Sequence, residues 1–70
     1  MQMNEDYVID GLKVGDIVKL YDSARRNGSL AGKFGLVVDL DKHGNPVINV
    51  EGKVKAFYQT QIDGVVSENR

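Results

Sequence analysis

From Lys33 to Tyr58 an apolar side chain falls at almost every second position, and no stretch of the chain repeats one every three or four residues for long. A period of two belongs to strands that turn one face to a core, whereas a helix needs 3.6. The pattern therefore predicts an all-β fold of short strands and no substantial helix. In "KFGLVVDLD", Lys33 to Asp41, the residues Phe34, Leu36, Val38 and Leu40 share one face. Gly35, Val37, Asp39 and Asp41 share the other, as in a sheet with one side in water.

The remaining strands follow from the same rule. "DIVKLYD", Asp16 to Asp22, turns Val18 and Leu20 one way and Ile17, Lys19 and Tyr21 the other. "VINVE", Val47 to Glu51, enters after Gly44 and Pro46 and turns Ile48 and Val50 inward. Gly52 marks a hairpin into "KVKAFY", where Val54, Ala56 and Tyr58 oppose Lys53, Lys55 and Phe57. "QTQ" suits one 3₁₀ turn before a last strand, "IDGVV", with Ile62 and Val66 facing in. The predicted core is Val18, Leu20, Phe34, Leu36, Val38, Leu40, Ile48, Val50, Val54, Ala56 and Ile62. Five short strands with tight turns predict a small barrel, because closing a sheet removes edges that a short chain protects poorly.

At 70 residues there is room for one domain. The division expected is an acidic arm over 1–11, carrying Glu5, Asp6 and Asp10, a barrel over 12–67 and a tail over 68–70. No cysteine is present, so neither a disulfide nor a thiolate ligand or nucleophile can form. The longest uninterrupted apolar runs are three residues, far short of a membrane span. The sequence opens "MQMNEDYVID", acidic where a secretory signal is basic and apolar. These features predict a cytoplasmic protein with no membrane partner. Nine Lys and Arg against ten Asp and Glu leave a net charge of −1, which argues against a general nucleic-acid binder.

Two stretches imitate ligand-binding motifs. "RNGSLAGKFG", Arg26 to Gly35, resembles a phosphate-binding loop, but one residue is missing between Gly28 and Gly32. Phe34 also stands where a magnesium-binding hydroxyl belongs, and a strand follows instead of a helix. The stretch is better read as a long first loop with Leu30 tucked down as an anchor. "DLDKHGNPVINVE" sets Asp39, Asp41 and Gly44 at calcium-loop spacing, yet His43 and Val50 occupy ligand positions. His43 lacks a nucleophile beside it, and Ser23, Ser29 and Ser67 sit in no elbow motif. The expectation is no enzyme activity, no cofactor, no metal and no small-molecule substrate.

The outward aromatics Tyr21 and Phe57, together with Arg25, Arg26 and Lys33, form the candidate partner-binding set. Aromatic and arginine side chains are enriched in protein interfaces. The same two aromatics would otherwise close an open end of the barrel. Both readings stand at this point.

The residues Gly15, Asp16 and Val18, then Gly32, Gly35 and Val37, then "VINVEG", resemble the pattern of KOW-type SH3-like barrels over residues 15 to 52. The resemblance implies a five-stranded SH3-like small barrel with a long first loop and one 3₁₀ turn before the last strand. Members touch RNA or protein in ribosomes and transcription complexes. In plan the chain is similar to the ferredoxin-docking subunit of photosystem I, and in size and style to short bacteriophage proteins. The expected function is a non-enzymatic protein-interaction module, such as a phage accessory protein that binds a phage or host protein. The alternative is an RNA-binding KOW module acting in transcription or translation, although members that bind RNA are usually basic.

Overall fold

A computed structural model describes residues 12–67 of the chain. The acidic arm expected at 1–11 and the tail at 68–70 lie outside the described residues. Five strands are present: β1 (Ile17–Leu20), β2 (Phe34–Leu40), β3 (Pro46–Val50), β4 (Lys53–Ala56) and β5 (Ile62–Ser67). They form one antiparallel sheet in the order β4-β3-β2-β1-β5. A 3₁₀ turn at Gln59–Gln61 precedes β5, as "QTQ" predicts. β4 and β5 are the edges, and no ladder joins them among the described residues. The sheet is therefore open where the sequence predicts closure. Among the described residues no helix is long and apolar enough to cross a membrane.

Local chemistry sets the turns. Glu51 and Gly52 both take positive φ, at 54° and 87°, which is the backbone of a two-residue type I′ hairpin between β3 and β4. The Asn49 side chain secures this hairpin by accepting the Gly52 N–H at 2.9 Å. At the entry to β1, Asp16 is buried, and its carboxylate accepts the Lys13 N–H at 2.9 Å. The Gly15 N–H then donates to the Val37 carbonyl, and the Val37 N–H to the Asp16 carbonyl. The chain ahead of β1 is thereby stitched to the middle of β2.

The first loop is more ordered than its glycines suggest. It contains a one-turn helix, α1 (Ala24–Asn27), followed by a 3₁₀ turn at Gly28–Leu30. Leu30 is buried and anchors the loop on the core.

The core comprises Leu12, Val18, Leu20, Leu30, Val37, Ile48, Val50, Phe57 and Ile62. Five of these, Val18, Leu20, Ile48, Val50 and Ile62, are the residues that strand alternation predicts. β2 faces the other way from the prediction. Gly35 and Val37 are buried, while Phe34, Leu36, Val38 and Leu40 are exposed. Size explains the reversal. A Cβ on residue 35 would collide with Ile48 Cγ2 and lie 2.8 Å from Val50 Cγ2, so only glycine lets β3 side chains close over β2 there. The greasier face of β2 is left outside because the inner layer has no room for it.

A bulge between Val37 and Asp39 then shifts the β2–β3 register, so Val38 becomes an extra residue and Leu40 pairs with Pro46 at the rim. The expectation also fails at Val54 and Ala56, both exposed on edge strand β4, and at Val66, exposed where β5 slips against β1. Along β4 the pairing Lys53–Val50 and Lys55–Ile48 puts lysines on the core side of the edge, a device that discourages strand addition.

Candidate functional site

Tyr21 directly follows β1, and its backbone is a junction. Its N–H donates to the Gln61 carbonyl at 3.0 Å. Its carbonyl accepts from the Ser23 and Gly32 N–H groups and from Asn27 Nδ2. Asn27 is buried in the last position of α1 and reaches both walls of this junction. Its Nδ2 donates to the Tyr21 carbonyl at 2.9 Å and the Gln61 carbonyl at 3.0 Å. Gln61 Nε2 returns the contact, donating to Asn27 Oδ1 and to the Arg26 carbonyl. The side chain of Asn27 is thus hydrogen-bonded at both ends, as a buried amide must be. This network fixes α1 against the 3₁₀ turn at Gln59–Gln61.

Arg26 is positioned by that fixture. Its guanidinium lies 4.6 Å from the centroid of the Tyr21 ring, and Nη1 donates to the Thr60 carbonyl at 2.9 Å. Cation–π contacts at exposed sites contribute about 0.5–1 kcal/mol. Arg25 is exposed beside it on α1. Of the candidate set, Tyr21 and Arg26 are in contact, and Arg25 lies exposed on the same helix turn.

Lys33 and Phe57 behave differently. Lys33 Nζ pairs with Glu51 Oε2 at 3.2 Å, at the β3–β4 hairpin. Both side chains are well exposed, so the pair is worth about 0–1 kcal/mol. Phe57, expected outside or as a cap, is only 2% exposed and belongs to the core. β4 stops at Ala56, so alternation no longer governs residue 57, and the Phe57 N–H bonds the Pro46 carbonyl at 2.9 Å. The Lys55 ammonium lies 5.2 Å from its ring. The exposed aromatic is the next residue, Tyr58, at 71%. A phenol tolerates water where a benzyl group does not, and that is the one sequence signal favouring this order.

Tyr58 opens the 3₁₀ turn that Gln61 closes. Its N–H donates to Gln61 Oε1, and the Gln61 N–H donates to its carbonyl, both at 2.9 Å. Beside it lies a groove of about 260 Å³ lined by Asp41, His43, Asn45, Ala56, Phe57 and Tyr58. Ligand pockets for whole small molecules run about 300–1,000 Å³, so this one suits a side chain better.

Asp41, in the groove wall, is committed to its own turn. One carboxylate oxygen accepts the His43 and Asn45 N–H groups, each at 2.9 Å. The Asn45 N–H holds the Asp41 carboxyl below its ordinary pKa; desolvation opposes this, and the His43 N–H and charge add to the lowering. Asp39 likewise accepts the N–H of its neighbour Leu40. Both aspartates of the calcium-like spacing thus serve the local backbone. Because the folded pKa of Asp41 is depressed, its contribution is complete above the ordinary value of 3.8 and fades as pH falls through the lower folded value. Hydrogen exchange at the Asn45 amide should accelerate below that range relative to Leu20, and an Asp41→Asn variant should lose this acid dependence.

No family model matches the chain, and neither a curated protein nor a solved structure does.

Proposed function

We propose that this chain is a non-enzymatic protein-interaction module on an SH3-like plan. It binds an extended protein segment across Tyr21, Arg25, Arg26 and the groove at Tyr58. The strand order and the 3₁₀ turn before β5 support the SH3-like reading. The observation that carries the functional one is that Arg26 is already held, by the Tyr21 ring and the Thr60 carbonyl, before a partner arrives. A fixed cation and ring lose little entropy on binding. The side-chain-sized groove at the start of the same 3₁₀ turn supplies a second point of attachment. A matching segment carries an acidic group for the arginines and an apolar side chain for the groove.

Selection from a displayed library of random peptides tests this. The enriched peptides should combine an acid with an apolar residue, and Arg26→Ala and Tyr58→Ala should each weaken binding about tenfold or more. Failure to enrich any peptide overturns the reading. So does tight binding of single-stranded RNA with a steep salt dependence, which is the mark of phosphate contacts.

A further inference from the structure

The outer face of the sheet carries an apolar strip with no cover among the described residues. Phe34 is 54% exposed, Leu36 40%, Val38 38% and Val54 57%. Cross-strand pairing sets them side by side with other outward residues. Ile17 stands against Leu36, Leu36 against Asn49, and Asn49 against Val54. Val47 and Ala56 form the adjoining row. Solvated sheet faces normally alternate to polar residues, so a largely apolar strip, broken within this row by Asn49 alone, marks an interaction surface.

We propose that this face packs against the same face of a second copy, making a two-fold dimer. Charge selects the partner. Lys19 pairs with Phe34 on the outer face, at one end of the strip. Asp39 pairs with Val47 on that face, at the other end. Among the described residues neither forms an ion pair within the chain. A two-fold axis lying in the face and perpendicular to the strands sets Leu36 near its own counterpart in the middle. The same axis sets Lys19 of each copy near Asp39 of the other. Gly64, opposite Lys19 on β5, leaves space beside the lysine. An axis along the strands would instead set lysine on lysine and is disfavoured.

The footprint sets the strength. Four strands about 4.8 Å apart and five residues long at about 3.3 Å cover about 300 Å² of flat sheet. A standard interface takes about 800 Å² per partner, so the dimer is weak and forms only at high protein concentration. The face adjoins the proposed binding site at Ala56, which also lines the groove. Leu36, Lys19 and Asp39, the residues whose substitution tests the dimer, do not line it, and neither proposal depends on the other.

Sedimentation equilibrium of the full chain across about 5 µM to 1 mM tests it. The expected result is a monomer–dimer equilibrium that Leu36→Lys abolishes without lowering the melting temperature. Lys19→Glu and Asp39→Lys should each weaken association about fivefold or more, and the double swap should restore it. The restoration distinguishes the crossed arrangement from any other dimer. A chain that stays monomeric throughout overturns the proposal. So does a monomer that dimerises only when residues 1–11 are deleted, because the arm would then be the occupant of the face. A dimer indifferent to Leu36→Lys and to both charge reversals also overturns it.

Discussion

Replacing Gly35 by valine should leave the domain unfolded at room temperature, and replacement by alanine should lower its melting point by about 10 °C or more. The cause is steric. The added Cβ would meet Ile48 Cγ2, Val50 Cγ2 and the Asn49 carbonyl, on a strand whose backbone is locked to β1 and β3 on both sides. Overpacking of this kind costs about 1–3 kcal/mol for one methyl. A domain of this length has about 4–10 kcal/mol of stability in total, so valine, with three added carbons, removes most or all of what the fold can lose. Gly64 provides the control. A Cβ there meets nothing within 4 Å, so Gly64→Ala should stay within about 0.5 kcal/mol of the parent. A further contrast reads the same face. Val37→Ala, at a buried position, should cost about 2 kcal/mol, and Val38→Ala, in the exposed bulge, far less. Thermal melts of these variants decide the matter, and a larger loss for Val38→Ala than for Val37→Ala would reverse the assigned face of β2.

Truncating Phe57 should be the costliest single deletion in the core. Phe57→Ala is expected to remove about 3–5 kcal/mol, because among the described residues the ring is the largest fully buried side chain and leaves a cavity the strands cannot close. Tyr58→Ala, one residue on, should change stability by less than about 1 kcal/mol, since its ring stands in solvent. Urea titrations would show the gap as a large shift of midpoint for one variant and almost none for the other. Equal losses would mean that the two aromatics share the core, and a greater loss at Tyr58 would restore simple alternation through the end of β4. The pair also separates stability from the proposed binding, because Tyr58→Ala should weaken peptide capture in a folded protein.

Strand positions were legible because turn chemistry and alternation agree. Gly15–Asp16, Gly44–Asn45–Pro46 and Gly52 break the chain where the strands do break. The inward residues of β1 and β3 were legible too, since Lys19 separates Val18 from Leu20 and Asn49 separates Ile48 from Val50. β2 was not, because one face is wholly apolar while the other carries a glycine and an aspartate beside Val37, so hydrophobicity alone favours the wrong one. Of the candidate site, the Tyr21–Arg26 contact falls where the sequence sets a loop rich in cations next to a strand. Asn27 was not legible, since an asparagine before a glycine reads as an ordinary turn residue. Its role depends on the Gln61 carbonyl, 34 residues away.

What the order of residues determined alone is the number of strands, their turns and the absence of a long helix, all of which follow from interactions between near neighbours in the chain. Which face of β2 turns inward, which aromatic is buried and what holds α1 in place were decided only when distant segments met. The reason is volume. Ile48 and Val50 leave space for a glycine and for nothing larger, and a pattern of hydrophobicity carries no record of the space that another strand leaves.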